Sequence, residues 1–491
     1  MTAFTLSTDA YHHTMGYWLS DPMAEETHVL YARRGGPQVV IDLVRSLAGI
    51  IAAVPTPDAV HDASRFWAGQ GIPFPSAAWL SLTERRHLPI SVRGVRDGEV
   101  VRPGDPIAVV RAPAFLAGVL EPLLIGEQMA AVQLATRMTK LACAVQWKTE
   151  RLFEVGYRAV DGYDEHIRKL MRLKRAGLKA TSHGLAARQW GLKAVGTMGH
   201  RFTQRFTGAQ CDLDAFHYAV DRMLAFIHQQ GITDPIPLSL LLDTRSTLEH
   251  GLPAALQLIR TRMQDIQGRI DISVRLDSGD LHKQFAIIAE SFLGTFQGGS
   301  LMPGIVLESG LNARDVADFE QLADSIGFNR NKLYYGLGGY LVSGIQRDTI
   351  SLVYKLTAFQ SDGRMNASMK FGDETNAGKE SYPGDIELWE GKKDGRIVRE
   401  LALRQETPRQ LRKSYRPLFV DLVINGRLQK GALLSDAQVQ TRVRQRWQEV
   451  TQSYIGDDRD FYAVDDPDRR RPYFTPCLQA LVDRLRLQQF S

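Results

Sequence analysis

Two charged residues in the segment VRLDSGD, Arg275 and Asp277, are separated by one position at the end of an apolar run. If this run is a strand, their side chains share one of its faces. An arginine can bind a phosphate through two hydrogen bonds, and a carboxylate can accept hydrogen bonds from sugar hydroxyls. A buried structural ion pair would have the same pattern. Asp243, at the end of LLLDT, adds a carboxylate that could hold a metal ion or contact a reacting oxygen.

Small and reactive residues follow several other apolar runs. The segment GLGGYLVSG contains Gly336, Gly338 and Gly339, and His200 follows the run AVGTMG. Glycines after a strand let backbone N–H groups approach phosphate oxygens, although glycine-rich turns are common for other reasons. Five apolar runs end in GTMGH, DTRST, RLDSGD, ESG and GLGG. One such ending is typical of a turn or a helix cap, whereas five together favour a single site for a sugar phosphate.

The runs that position these endings alternate with helical patterns. They are LKAVGTMG, IPLSLLLDT, IDISVRLDSGD, MPGIVLESG, LYYGLGGYL and ISLVYKLTAF. One helical pattern between them stops at Gly231, and another is capped by Asn312. This alternation predicts a parallel sheet covered by helices. Periodicity alone does not separate a doubly wound sheet from a barrel, but in both the carboxyl ends of the strands form the active-site rim.

The two ends of the chain have a different pattern. Helical segments near the N-terminus surround ISVRGVRDGEVVRPGDPIAVVRAP, whose short strands are separated by turns at Gly98 and Gly104. Turn-rich connections interrupt the region after about position 360. We therefore expect a central α/β domain, with the two chain ends combined in a second, α+β domain.

The composition narrows the class of protein. The 491 residues are 44% hydrophobic and 23% charged, which is ordinary for a soluble globular protein. We expect no membrane span, because no run approaches about 20 apolar residues, and no signal peptide, which together predict a cytoplasmic protein. The three distant cysteines, Cys143, Cys211 and Cys477, indicate neither a disulfide framework nor a zinc site. A net charge of +5 suits anionic small molecules and is too weak to indicate nucleic-acid binding.

In this order, the motifs resemble those of the nicotinate and nicotinamide phosphoribosyltransferases, the type II phosphoribosyltransferases. The resemblance extends from TDAYHHTM near the N-terminus to MKFGDETNAGKESYPG, which begins at position 369. With it, we predict an α/β fold whose residues 141–358 form an irregular parallel β/α barrel-like domain that binds the phosphoribosyl group. Residues 1–140 and 359–491 then form the α+β domain.

The N-terminal motifs of the resemblance imply a dimer. TDAYHHTM is similar to the family's opening motif, with Asp9 and Tyr11 at the matching positions. In the family this tyrosine stacks on the pyridine ring bound in the partner subunit, so the resemblance implies a homodimer with shared active sites. YARRG is similar to the segment that carries a phosphate-contacting arginine, which makes Arg33 or Arg34 a candidate.

Two further motifs bear on the pyridine base. EVGYRAV resembles the family's acid-aromatic-Gly-x-Arg motif and implies that Arg158 contacts the diphosphate or the pyridine substituent, but Val155 replaces the usual aromatic ring. KATSHG is similar to a Gly-Thr-Ser-Asn segment, with Thr181 and Ser182 matching and His183 in place of asparagine. The amide-using branch carries an aspartate at the position of Ser182. Serine lacks the negative charge with which that aspartate would repel a carboxylate, so Ser182 favours nicotinate over nicotinamide.

The remaining motifs bear on catalysis. His200 falls on the histidine that the family phosphorylates transiently with ATP, and Asp243 falls on an aspartate of the family's motif. Arg275 and Asp277 match the residues that hold the ribose phosphate and hydroxyls. The resemblance also assigns substrate contacts to Gly310, Gly338, Gly339 and Arg347, the last being an arginine found mainly in the nicotinamide branch.

The resemblance therefore implies a nicotinate phosphoribosyltransferase. It would make nicotinate mononucleotide and pyrophosphate from nicotinate and phosphoribosyl pyrophosphate, for NAD biosynthesis or salvage, with Mg²⁺ and with ATP as phosphoryl donor. Three alternatives stay open. They are a nicotinamide phosphoribosyltransferase, a barrel glycoside hydrolase that pairs Asp243 with Asp277, and a catalytically silent nucleotide-binding relative.

Overall fold

The computed structural model describes residues 5–296, 302–372, 380–393, 396–406, 414–452 and 472–490. The chain divides into two compact units. The central unit is Arg137–Gly344, and the terminal unit combines Met1–Thr136 with Ile345–Ser491.

The strands of the described residues are numbered in chain order. They are β1 (Glu25–Ala32), β2 (Gln38–Val39), β3 (Ser91–Gly94), β4 (Val100–Val101), β5 (Pro106–Pro113), β6 (Leu152–Glu154), β7 (Ala180–Thr181), β8 (Lys193–Ala194), β9 (Ile236–Leu241), β10 (Ile270–Leu276), β11 (Gly304–Leu307), β12 (Leu333–Leu337), β13 (Leu352–Ser361), β14 (Arg364–Ala367), β15 (Ile386–Lys393), β16 (Arg396–Leu403), β17 (Tyr415–Pro417), β18 (Val420–Ile424), β19 (Arg427–Leu428) and β20 (Tyr473–Phe474).

The helices surround these strands. The α-helices are Ala10–Trp18, Leu43–Ile51, Pro57–Gly69, Ser76–Leu80, Ala114–Ala144, Tyr163–Arg175, Gly184–Trp190, His200–Thr203, Cys211–Gln230, Leu252–Thr261, Met263–Ile266, Leu281–Phe296, Ala313–Ile326, Gly339–Val342, Arg347–Ile350, Asp436–Gln452 and Pro476–Phe490. Single turns of other helix types lie at Thr149–Arg151, Tyr157–Ala159, Thr247–Gly251 and Arg330–Lys332.

The central unit is built on a parallel sheet in the order β8-β7-β6-β12-β11-β10-β9. Strands that follow one another along the chain are neighbours, except across the opening between β8 and β9, and the last strand, β12, pairs with the first, β6. A doubly wound sheet would instead reverse its strand order at a switch point. Across the opening, the Met198 N–H donates to the Ser239 carbonyl at 3.3 Å. The predicted irregular barrel-like domain is confirmed.

Alternate residues of the barrel strands face its interior. An apolar cluster there contains Phe153, Ala180 and Val306, with Val155, Val195 and Tyr334 packed against it. Phe153, Ala180, Val306 and Tyr334 lie on the neighbouring strands β6, β7, β11 and β12, so the cluster lines this part of the interior. Two positions beyond Ala180, Val306 and Tyr334 lie Ser182, Glu308 and Gly336. The alternation therefore directs these three toward the interior at the carboxyl ends of the strands.

The helix signals that the sequence provides are present in the structure. Gly231 ends the helix Cys211–Gln230 in a left-handed conformation, with φ 61°. Asn312 caps the helix Ala313–Ile326 in a reciprocal capping box with Asp315. These caps fix where each helix begins or ends relative to the neighbouring strand.

The terminal unit contains a seven-stranded sheet in the order β14-β13-β1-β5-β3-β18-β19, with antiparallel pairing throughout. A four-stranded sheet, β17-β15-β16-β20, and the pair β2-β4 complete its strands among the described residues. Because β1, β3 and β5 come from the N-terminal part and the other four strands of the large sheet come from the C-terminal part, both chain ends build one core. The predicted α+β domain of two segments is confirmed.

Two strand predictions differ from the structure. The run ISLVYKLTAF, expected in the parallel series, forms β13, which pairs antiparallel with β1 through partners such as Val353 and Tyr31. The run LKAVGTMG, expected to be a buried strand, contains only the two exposed residues Lys193–Ala194 of β8. The reason for the second difference is position, since β8 borders the barrel opening and has a strand neighbour on one side only.

The helix Ala114–Ala144 is long and apolar enough to cross a membrane by length and composition alone, so the expectation that the chain has no such run is wrong. In the structure 56% of its most apolar window is buried. Phe115, Leu116 and Leu120 of this helix belong to the core of the terminal unit. This burial is that of a core helix.

Candidate active site

His200 lies between two carboxylates at the barrel opening. It begins the helix His200–Thr203, and its side chain is 41% exposed. Its Nε2 lies 3.8 Å from Asp243 Oδ1 and 3.7 Å from Asp277 Oδ2, and its Nδ1 lies 3.3 Å from Thr244 Oγ1. The fold thus brings together the three residues that the sequence proposed as catalytic.

Arg275 holds the loop that precedes His200. Its buried guanidinium donates to the Met198 carbonyl at 2.9 Å and contacts Asp277 at 2.7 Å and Glu308 at 2.8 Å. The ion pair that the sequence allowed as a structural alternative is therefore present in this structure. It lies at the rim, where Asp277 is partly exposed and can also meet a ligand.

The two oxygens of Asp243 have different surroundings. Its Oδ2 accepts a hydrogen bond from the Ser278 hydroxyl. Its Oδ1 is buried and makes no hydrogen bond within the described residues, although the side chain is only 3% exposed. A buried acceptor of this kind suits a ligand donor or a cation. The described residues contain no cluster of three or more metal-binding side chains. A single carboxylate such as Asp243 fits Mg²⁺ held mainly by substrate phosphates.

Buried Glu154 ties the ends of β6 and β7 together. It accepts hydrogen bonds from the Thr181 hydroxyl at 2.7 Å, from the Gly156 N–H and, through its own carbonyl, from the Ser182 N–H at 2.9 Å. The Thr181 hydroxyl is therefore engaged with Glu154, away from the barrel interior. Ser182 and Arg158 are exposed at the rim.

A pair of histidines extends from Glu154, and sequence reasoning missed it. His166 Nε2 lies 2.8 Å from Glu154 Oε1, and its Nδ1 lies 2.9 Å from Nδ1 of His183. The Tyr157 ring stacks on His183 with 4.4 Å between centroids. Burial lowers the pKa of His183, and the neighbouring His166 lowers it further. A chain of hydrogen bonds thus runs from His183 through His166 to Glu154.

The glycine positions mark open space beside these groups. Ser309 (φ 93°) and Gly310 (φ 67°) form a left-handed pair at the end of β11. A Cβ added to Gly310 or Gly338 would meet no atom within 4 Å. Gly339, which follows, begins the short helix Gly339–Val342. The backbone at Gly310 and Gly338 is therefore accessible to a phosphate.

The other proposed site residues lie in the terminal unit. Asp9 precedes the helix Ala10–Trp18, and the Tyr11 ring is exposed. Burial of the hydroxyl raises the pKa of Tyr11, and Glu121 and Asp9 add to the effect. A cavity of about 450 Å³ is lined by Arg33, Arg34, Arg347, Asp348, Ser351, Val353, Lys355 and Lys370. Five basic groups against one acid make this cavity suited to an anion.

Comparisons with known proteins agree on one family. The model of the nicotinate phosphoribosyltransferase (NAPRTase) family matches residues 151–380. A nicotinate phosphoribosyltransferase of Bos taurus is 25% identical over 446 residues, which cover 81% of this chain and 80% of that protein. The nicotinate phosphoribosyltransferase pncB2 of Mycobacterium tuberculosis is 27% identical over 290 residues, or 59% of this chain. The match spans about half of that relative's length (54%).

Solved structures share the fold over nearly the whole chain. The crystal structure of human nicotinic acid phosphoribosyltransferase has a TM-score of 0.68 and 20% identity, and the match covers 97% of this chain and 99% of that one. A nicotinate-nucleotide pyrophosphorylase from Pyrococcus furiosus has a TM-score of 0.63 and 14% identity, with 92% and 96% covered. At 20% identity or less these structures show the shared fold, while the family model and the named relatives show that the chain is similar to the nicotinate phosphoribosyltransferase family.

Proposed function

We propose that this protein transfers the phosphoribosyl group of phosphoribosyl pyrophosphate to the ring nitrogen of nicotinate. The products are nicotinate mononucleotide and pyrophosphate, and the reaction serves NAD biosynthesis. The observation that carries the proposal is the position of His200 at the barrel opening. Its Nε2 lies 3.8 Å from a carboxylate oxygen of Asp243 and 3.7 Å from one of Asp277. Named relatives of the same family support it.

The chemistry needs charge stabilisation more than proton transfer. As pyrophosphate leaves, positive charge develops at the anomeric carbon, and the pyridine nitrogen, already a nucleophile, attacks it without a general base. Asp277 accepts hydrogen bonds from the ribose hydroxyls and holds the sugar in place, while Arg158 offers a cation to the diphosphate. Asp243 would hold Mg²⁺ together with the diphosphate, and the ion would supply charge neutralisation of the leaving group.

We also propose that ATP phosphorylates His200. An imidazole nitrogen attacks the terminal phosphorus of ATP, the bond to the bridging oxygen breaks, and ADP leaves with that electron pair. Water later cleaves the phosphohistidine and releases inorganic phosphate. The carboxylates beside Nε2 compensate the positive charge that the ring gains.

The choice of base rests on Ser182. Its exposed position at the end of β7 offers a hydroxyl donor and no negative charge to a carboxylate. The nicotinamide alternative keeps support from Arg347 and from the carboxyl of Glu308. The glycoside hydrolase alternative has no support in the family match. The alternative of a catalytically silent nucleotide-binding relative is tested by the same experiment as the transferase activity.

The test is a panel of pyridine bases, with and without ATP, followed by release of pyrophosphate from phosphoribosyl pyrophosphate. We expect nicotinate to be used best. Better use of nicotinamide would overturn the choice of base, and no pyrophosphate with either base would support the silent relative.

A further inference from the structure

The two oxygens of Glu308 have different surroundings. This residue follows β11 inside the barrel and is only 5% exposed. Its Oε2 lies 2.8 Å from an Arg275 nitrogen. Its Oε1 is buried and has no hydrogen-bond partner within the described residues. A buried acceptor left unpaired costs free energy, unless a ligand supplies the missing hydrogen bond.

The direction of the unpaired oxygen follows from Gly336. A Cβ on this glycine would lie 2.7 Å from Glu308 Cδ and 2.9 Å from Oε1. The carboxyl therefore lies across β12, with Oε2 toward Arg275 on β10 and Oε1 on the side of β12. Gly336 pairs with Phe153 of β6, the next strand in the sheet.

The ends of β6 and β7 carry the groups proposed to contact the base. Val155 packs in the barrel interior, and Ser182 follows β7 on the same face of the sheet. Arg158 is near enough for its charge to act on the Glu308 carboxyl. The unpaired oxygen is thus directed to the side of the barrel where the pyridine ring would bind.

We propose that Glu308 is a specificity-determining residue that contacts the ring substituent of the pyridine base. This inference rests on the proposed function. Nicotinate binds with Glu308 as a neutral acid, whose O–H donates to the substrate carboxylate, and one proton is taken up from solvent. Nicotinamide binds with Glu308 as a carboxylate, whose Oε1 accepts from the amide N–H.

The surroundings of Glu308 raise its pKa above the ordinary value of a glutamate. Burial raises the pKa of Glu308, and the charge of Asp277 adds to this. Arg275 and, more weakly, Arg158 lower it. Among the described residues these are the charged groups that act on it from β10 and from the segment after β6, and β12 presents the uncharged Gly336.

The pH dependence of the wild-type protein tests the proposal. Both bases are assayed with phosphoribosyl pyrophosphate between about pH 6 and 9, and kcat/KM for nicotinate is divided by that for nicotinamide. Ionisations common to both reactions cancel in this ratio. If nicotinamide inhibits the reaction without being used, the reciprocal of its inhibition constant takes the place of its kcat/KM in this ratio. We expect the ratio to fall about tenfold per pH unit once Glu308 ionises. A ratio that does not change with pH would overturn the proposal.

The variant Glu308→Gln gives the second measurement. Its amide keeps the shape and donates to a carboxylate without proton uptake, so the ratio should become independent of pH and rise at least about tenfold at alkaline pH. The matched control is Glu320→Gln. Glu320 is another buried acid paired with an arginine, Arg151, but it lies on the helix Ala313–Ile326 and bonds Tyr335, which faces away from the barrel interior. It should keep the wild-type slope.

The outcomes separate the two proposals. A wild-type slope in Glu308→Gln would overturn the Glu308 inference, as would a flat ratio in the wild type. If Glu308→Gln does not fold, the wild-type ratio decides. Wild-type protein that releases pyrophosphate with neither base would overturn the proposed function itself.

Discussion

At the scale of single residues, Arg275 holds both the loop before His200 and two carboxylates of the candidate site. One guanidinium holds the Met198 carbonyl, Asp277 and Glu308. It thereby fixes the loop before His200 across the barrel opening and directs two carboxylates. The Arg275–Asp277 pair was visible in the sequence as two charges on one face of a strand. The other two partners of Arg275 were not visible in the sequence, because Met198 and Glu308 follow other strands.

His200→Ala is the sharpest single substitution. Without the imidazole no phosphohistidine can form, so ATP should no longer stimulate the reaction, while a basal transfer of the phosphoribosyl group remains. Pyrophosphate release with and without ATP measures both rates. Thr203→Val, which removes a hydroxyl that bonds the His200 carbonyl and the Thr244 hydroxyl but keeps the imidazole, is the control. An unchanged ATP-dependent rate in His200→Ala would refute the role of His200.

At the scale of elements, the strand ends and helix caps place the site residues. The capping box at Asn312 is local, since its side chain accepts from the N–H groups of Arg314 and Asp315 at 2.8 and 3.2 Å. The cap at Asn312 was predicted because Asn312 and the first turn of its helix are adjacent in the sequence, and the structure adds the reciprocal bond from the Asn312 N–H to Asp315. The hydrogen bonds of Glu154 were not predicted, because its partners His166 and Thr181 are 12 and 27 positions away in the sequence.

Asn312→Ala should lower the free energy of unfolding by about 1 kcal/mol. The first turn of the helix Ala313–Ile326 then loses its acceptor, and the Asn312 N–H keeps only its bond to Asp315. Urea denaturation measures the change. Asn329→Ala, which removes the cap of the single turn Arg330–Lys332, should cost less, and equal losses in both variants would contradict the role of the capping box.

At the scale of the whole molecule, buried histidines make folding sensitive to acid. His13 is fully buried between aromatic rings and donates to the Thr5 carbonyl at 2.9 Å. Burial lowers the pKa of His13 to about 4, against the opposing effect of that hydrogen bond. Because the folded pKa lies below the unfolded value of about 6.5, the stability contributed by neutral His13 is present above that pH and is lost toward pH 4.

This loss should amount to about 3 kcal/mol of unfolding free energy between neutral pH and pH 4. The variant His13→Phe cannot titrate, so its unfolding free energy should vary less over the same range, whatever its stability at neutral pH. His61→Phe, at an exposed position, serves as the control. An equally steep pH dependence in His13→Phe would show that His13 is not responsible.

The proposed homodimer with shared sites predicts complementation between two inactive variants. Tyr11→Ala damages the surface offered to the partner, and Asp277→Asn damages the sugar site. Random mixing of the two chains should restore about a quarter of wild-type activity, because half of the dimers would hold one intact site of two. Pyrophosphate release after co-refolding measures it. No recovery from mixed chains that form dimers would contradict shared sites.

The sequence by itself determined the local features of this protein. Each of these features depends on residues close together in the sequence, either at spacings of two or 3.6 residues or at adjacent positions. They are strands β9 to β12, the cap at Asn312, the stop at Gly231 and the reactive strand ends. Motif order was enough to indicate the family. These features need no knowledge of which strand lies next to which.

Only the tertiary structure decided which strands and side chains lie next to one another. It closed the parallel series into a barrel through β12 and β6, moved β13 to the antiparallel sheet and left β8 as a short exposed edge. It also laid the Glu308 carboxyl across Gly336. The physical reason is that strand pairing and burial join residues far apart in the chain, so the same apolar run fits either sheet until its partner is known.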